Sequence, residues 1–189
     1  MNLPSSDADI AARVQRLADR QEILDCLTRL ARGMDRHDAD LMTSAYHPDA
    51  VDDHGTFRGP AAEFIEYVNG VNGVGGAHSR FPVHQHTLLN HSVDLDGDDA
   101  HAETYYLFAG ELPAGGEILL MGGRYVDHLT RRNGQWRIAA RRVVAEWVTS
   151  SPNGAGVPPG QLERFTRGRW DRADVSYQRP LHARGPGEQ

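Results

Sequence analysis

Cysteine is nearly absent from this chain. Of 189 residues only one is a cysteine, Cys26, so no intramolecular disulfide can form and a thiolate metal site is excluded in practice. Cys26 lies inside an apolar helical pattern and reads as a small core residue. Long hydrophobic runs are also missing. No stretch approaches the roughly 18 consecutive apolar residues of a membrane span, and the N-terminus has no cationic segment leading into an apolar one. The expectation is a cytoplasmic protein with neither signal peptide nor membrane partner. Basic residues are outnumbered, 20 Lys and Arg against 26 Asp and Glu, for a formal charge of −6. That balance argues against a nucleic-acid partner, which needs a basic face. No internal repeat is present.

What remains is an ordinary soluble composition, 39% hydrophobic and 24% charged, on a chain long enough for one self-supporting core. In "SSDADIAARVQRLADRQEILDCLTRLARGMDRHD", Ile10, Val14, Leu17, Leu24, Leu27, Leu30 and Met34 recur at helical steps. Ser5, Ser6 and Asp7 offer capping oxygens; a break near Asp19 would split the run into two helices. "DADLMTSAYH" reads as a second helix, stopped near His47-Pro48. "AVDDHGTFRG" reads as a short hairpin turning at His54-Gly55, and "PAAEFIEYVNG" as a third helix between proline and glycine. After a glycine-rich loop come four strand-like runs, roughly 81–95, 99–110, 117–131 and 135–149, an antiparallel meander. Helices followed by long antiparallel strands make an α+β domain, spanning residues 1–150. Residues 151–189, rich in Pro, Gly and Arg, form a C-terminal extension that wraps over the domain or a neighbouring subunit.

"HQHTLLNH" places three histidines in eight residues. On a strand His84, His86, Leu88 and Asn90 share one face and Gln85, Thr87, Leu89 and His91 the other. Neither face is cleanly apolar, which suits a strand lining a cavity and equally a wet edge. His78, His84, His86 and His91, with Asp52, Asp53 and His54, supply metal ligands on paper. However, there is no HExxH pattern and no Cys/His spacing, and no metal is expected. Tyr46, Tyr105, Tyr106, Phe108 and Trp147 read mainly as core.

Several stretches together carry a resemblance. "RGMDRHDADLMTSAYHPDAVDDHGTFRG", "HQHTLLN", "DGDDAHAETYY", "GGRYVDHLTRRNGQWRIAARRVV" and "WDRADVSYQRP" resemble the SnoaL-like branch of the nuclear transport factor 2-like superfamily in order and spacing, from about residue 10 to residue 181. The resemblance implies a cone-shaped, curved, mixed or antiparallel sheet, its one face covered by the N-terminal helices, enclosing a deep apolar pocket. It implies no metal and no organic cofactor. The family's paired Asp and His fall on Asp35 and His86, and a family arginine on Arg141, with Arg142 as alternative because a bulge would exchange their faces. The superfamily holds dehydratases, dehydrochlorinases, isomerases, cyclases, other lyases and non-enzymatic binders, so fold alone does not choose among them.

A carboxylate on one ring nitrogen of a histidine fixes its tautomer and stabilises the imidazolium formed when the other nitrogen takes a proton. The leading expectation is therefore a cofactor-independent lyase acting on a hydrophobic, ring-containing small molecule. The Asp35–His86 pair removes a proton, and elimination or retro-aldol cleavage with release of a small aldehyde follows. Arg141 steadies the anion. Tyr46, His54, His84, Asn90 and Arg142 are candidate substrate contacts. An isomerase or cyclase, and a non-catalytic binder resembling an oxygenase small subunit, are the alternatives. A homo-oligomer, dimer or trimer, is expected. One departure stands out: where some relatives carry Tyr or Lys a helical turn before the Asp, this chain has Leu30, flanked by Arg29 and Ala31. A proton for the leaving group would then come from Tyr46, His84 or His54, or not be needed.

Overall fold

A computed structural model describes residues 6–71, 74–154 and 165–181. Helix α1 (Asp7–Arg36) is one uninterrupted helix of 30 residues. Ser6 caps it, its hydroxyl accepting from the Asp9 amide. The expected break at Asp19 does not occur, because Asp19 sits on the buried stripe itself and its carboxylate is satisfied there. Trp136 Nε1 (3.0 Å), an Arg131 Nη1 (2.8 Å) and Gln15 Nε2 (3.1 Å) all donate to Oδ1. From there on Ile23, Leu27, Leu30 and Met34 are fully buried. Burial of each such side chain contributes about 1.5–3 kcal/mol. Ile10, Val14 and Leu17 continue the stripe in sequence but are exposed.

Helix α2 (Ala39–Thr43) is a single turn or so, capped by Asp38. The expected longer helix gives way to a strand already at Tyr46, in keeping with the effect of Pro48 on the residue before it. Strand β1 (Tyr46–Asp53) pairs antiparallel with β2 (Arg58–Pro60) through the His54-Gly55 turn. Helix α3 (Ala61–Asn69) buries Phe64, Ile65 and Val68. The glycine-rich loop contains a minimal hairpin, β3 (Gly70–Val71) with β4 (Val74–Gly75). The meander is β5 (His84–Asp96), β6 (Asp99–Glu111), β7 (Glu117–Arg132) and β8 (Gln135–Pro152). The sheet order is β2-β1-β8-β7-β6-β5, with β1 parallel to β8 and every other pair antiparallel. The result is an α+β domain in which a curved, unclosed mixed sheet carries the helices on one face.

Two bulges decide which side chains enter the interior. In β5, Leu88 faces Tyr106 and His91 faces Thr104, so two residues oppose Tyr105 alone. The inward series runs His84, His86, Leu88 and then changes phase to His91, Val93, Leu95. In β8, Ile138 faces Leu129 while Ala140 faces His128, leaving Ala139 extra. Counting by twos from Trp136 would put Arg142 inside; the bulge puts Arg141 there instead. The described part of the C-terminal extension packs on the end of α1. Arg36 Nη1 meets Asp174 Oδ2 at 3.2 Å, Tyr177 donates to Asp38 Oδ2 at 3.0 Å, and Arg32 Nη2 donates to Ser176 at 3.3 Å. Among the described residues, no helix is long and apolar enough to cross a membrane.

Candidate active site

Asp35 stands in the last turn of α1, where a carboxylate faces the negative end of the helix dipole. Its position follows from the helix end around it. Gly33 lies so close to α2 that a Cβ there would fall 2.6 Å from Met42 Cγ. His37 then closes the helix in the left-handed region at φ 51°. This ending aims Asp35 at the free edge of β5. His86 Nδ1 lies 2.6 Å from Asp35 Oδ1, and the His86 amide donates to both carboxylate oxygens, at 2.9 and 3.0 Å. One carboxylate thus holds both the backbone and the ring of His86. The hydrogen bond puts the proton on Nδ1 and leaves Nε2 as the basic nitrogen; no hydrogen bond to Nε2 is present among the described residues.

The His86 ring points into an aromatic interior, 5.0 Å from Phe108 and 5.3 Å from His78, centre to centre. Phe81, Tyr106 and Tyr125 complete this second, smaller core. A groove of about 640 Å³ reaches the dyad between α1, the start of β5 and Gly168. Its lining is mixed, with Arg32, Gln85 and Thr87 beside Ala31, Val83 and Leu88, so the approach to the dyad is more polar than the apolar pocket expected.

His84 is buried next to His86. Its Nε2 donates to the Met34 carbonyl at 3.2 Å, which leaves Nδ1 a bare acceptor. Burial, with the charge of His86, holds its pKa below the usual histidine value, against the Met34 hydrogen bond. His78 is likewise held down by burial and by His86 and His84. His37 is pushed down to about 4 by burial and then by His84. Trp170 of the extension covers this corner, 4.4 Å from the His37 ring and 5.8 Å from His84. Among the described residues, no three His, Cys, Asp or Glu side chains converge as metal ligands would.

Arg141 does enter the interior, but not as a free cation. It makes a bidentate pair with Asp127, 2.7 and 2.8 Å, with both side chains almost fully buried, and it lies 4.1 Å above the Tyr125 ring. Burial disfavours its charge, yet Asp127 outweighs that and holds the pKa above the ordinary arginine value. The neighbouring carboxylate already neutralises the charge that the sequence reading assigned to an anion. Two candidates fall outside. Arg142 is exposed, 3.4 Å from Asp53 on the outer face, because of the β8 bulge. Asn90 is exposed, because the β5 bulge breaks the alternation that had placed it with His86. Tyr46 is buried and donates to Asp52 Oδ2 at 2.5 Å, while Asp52 Oδ1 lies 2.6 Å from His54 Nδ1. The buried Asp127 had not been singled out; its only sequence signal is alternation with Tyr125 and Leu129. Cys26 is buried, its thiol donating to the Ala45 carbonyl, and burial raises its pKa to about 11.

A curved, unclosed mixed sheet carrying helices on one face is the fold of nuclear transport factor 2-like proteins. The chain belongs to the SnoaL-like domain family, whose match covers residues 15–142. It is 30% identical over 132 residues, 68% of this chain and 86% of the relative, to uncharacterized proteins of Mycobacterium bovis and Mycobacterium tuberculosis. Among solved structures, it resembles hexachlorocyclohexane dehydrochlorinase LinA-type3 from Novosphingobium barchaimii (TM-score 0.65, 24% identity, 78% of this chain and 99% of that one). It also resembles a putative scytalone dehydratase from Novosphingobium aromaticivorans (TM-score 0.60, 14% identity, 71% and 88%). At these identities the likeness establishes the fold.

Proposed function

We propose that the protein is a cofactor-independent lyase for a hydrophobic, ring-containing small molecule. The observation that carries this reading is the 2.6 Å contact between Asp35 and His86 Nδ1, with the ring beside Phe108, itself part of a cluster with Phe81, Tyr106 and Tyr125. Neutral His86 takes a proton through Nε2 from a carbon beside an electron-withdrawing group. The C–H electrons form a double bond as the group on the next carbon leaves with its own bonding pair. Asp35 stabilises the resulting imidazolium, more strongly at this largely buried site than it would in water. The aromatic rings offer flat apolar surface for the substrate ring. Dehydratase and dehydrochlorinase relatives of the same fold support an elimination.

The test is mass spectrometry of cyclic ketones carrying a hydroxyl, acetoxy or hydroxymethyl group within two carbons of the carbonyl, incubated with wild type, Asp35→Asn and His86→Ala, with and without chelator. Loss of water or acetic acid with wild type is expected, and loss of formaldehyde from the hydroxymethyl ketone where His86 instead takes the hydroxyl proton, the O–H electrons form the new C=O bond and the C–C electrons pass to the carbon beside the ketone. Asp35→Asn should slow it by on the order of 10²–10⁴-fold. Turnover that persists in both variants removes the dyad from the reaction, and loss of turnover with chelator replaces it with a metal.

A further inference from the structure

The interior holds a second Asp–His pair. Asp52, on β1, is fully buried and accepts from Tyr46 on one oxygen at 2.5 Å and from His54 Nδ1 on the other at 2.6 Å. His54 is less enclosed, with 16% of its side chain exposed. Its ring stacks on Phe64 at 4.3 Å and lies 6.2 Å from Tyr125. Strands β1 and β5 stand on opposite sides of the sheet, separated by β8, β7 and β6, and the sheet's curvature turns both toward the same interior. A run of aromatic rings links the two imidazoles. Phe108 lies 5.0 Å from His86; Tyr106, two residues along the same strand, stacks on Tyr125 at 4.4 Å; Tyr125 reaches His54. His78 packs beside the His86 end of this run, 5.3 Å from the His86 ring and 5.7 Å from Phe108.

We infer that His54, held by Asp52 and Tyr46, is the general acid of the reaction, protonating an oxygen leaving group while His86 removes the carbon-bound proton. This rests on the lyase reading above and deepens it: the substrate carries an oxygen leaving group, such as a hydroxyl, which needs a proton to depart. The step balances. His86 Nε2 gains the proton from carbon, and the C–H electrons become the π bond. The C–O electrons go to oxygen, and imidazolium His54 supplies its Nε2 proton to that oxygen, releasing water. Two histidines exchange protonation states, and solvent restores them. The other candidates for the acid are less suited. Tyr46 is fully buried, and burial followed by the Asp52 charge holds its proton well above the usual tyrosine range. His84 gives its one ring proton to the Met34 carbonyl.

The test uses the full-length protein with two probes on one cyclic ketone, a β-hydroxyl and its acetate ester, since acetate departs without a proton. His54→Asn keeps an N–H for Asp52 in the place of Nδ1 and removes the acid. It should lower kcat on the hydroxyl probe by on the order of 10²–10⁴-fold and on the acetate by less than about tenfold, with little change in KM. Asp52→Asn should show the same bias more weakly. Equal loss on both probes would make His54 a structural residue and overturn the inference while leaving the Asp35–His86 reading in place. Equal turnover by His54→Asn and wild type would overturn it too. If His86→Ala and Asp35→Asn leave elimination intact, the lyase reading fails, and this inference with it.

Discussion

Replacing Arg141 tests whether its charge is structural. Its guanidinium and the Asp127 carboxylate are nearly sealed from solvent and doubly hydrogen-bonded, with a further cation–π contact to Tyr125 at 4.1 Å. Removing one member leaves the other as a buried, unpaired charge. Arg141→Met should therefore cost about 3–5 kcal/mol, and Asp127→Leu a similar amount. For a domain of this size, with a urea m-value on the order of 2 kcal/mol/M, the midpoint should fall by roughly 2 M. The double variant Arg141→Met/Asp127→Leu removes both charges and both desolvation penalties, so it should return to within about 1 kcal/mol of wild type. Urea unfolding followed by tryptophan fluorescence and far-UV circular dichroism in parallel measures the whole cycle. Additive losses in the double variant, or a cost below about 1 kcal/mol for Arg141→Met, would refute the argument from burial. Turnover then gives a second answer. A double variant that regains stability but loses elimination activity would show that the guanidinium also serves the reaction.

Acidification should destabilise the protein well before its carboxylates titrate. His37, His78 and His84 are kept neutral in the fold, chiefly by burial, whereas in the unfolded chain they take protons below about 6.5. The unfolded state then binds more protons, so stability is full above that pH and falls as pH drops, for His37 down to about 4, by up to about 1.4 kcal/mol per pH unit for each histidine. Asp174, whose pKa the Ser176 hydrogen bonds and the Arg169 amide hold at about 2, loses its contribution only below about 3.8 and stays out of this window. A urea midpoint unchanged between pH 7.5 and 5 would contradict buried neutral histidines. Asp19→Ala should cost about 2–3 kcal/mol, because Trp136 Nε1 and Arg131 lose their acceptor in a buried setting; a difference below about 0.5 kcal/mol in the same assay would refute that role.

The elements were largely legible because their signals are local. The apolar stripe of α1, the capping Ser6 and Asp38 and the four long runs of β5 to β8 each announce themselves within a dozen residues. Where the reading departed, the cause was a single residue whose partner lies far away in sequence. Asp19 looked like a helix break because its donors, Arg131 and Trp136, are more than a hundred residues distant. Asn90 was assigned inward by strict alternation, which holds only while the register does, and Arg141 and Arg142 were left as alternatives, because no residue in "HTLLNHS" or "WRIAARR" marks where a bulge falls.

The same physics explains why the Asp35–His86 pair was readable only through resemblance and the His54–Asp52 pair only through coordinates. Each histidine is 2.6 Å from its carboxylate, but in the first case 51 residues separate the partners, and periodicity within either segment says nothing about the other. In the second case the partners are two residues apart and share "DDHG" with a turn, where Asp53 caps the Gly55 amide as a turn aspartate should. The local signal was correct for Asp53 and concealed Asp52. What separates these adjacent acids is the pleat of β1, which turns Asp53 outward to Arg58 and Asp52 inward to Tyr46 and His54. Exchanging them by a one-residue slip of β1 would leave the turn capped and dismantle the second pair. The register of β1 against β8, which sets Asp52 beside Arg141, therefore positions the interior carboxylate on which the proposed proton donation by His54 depends.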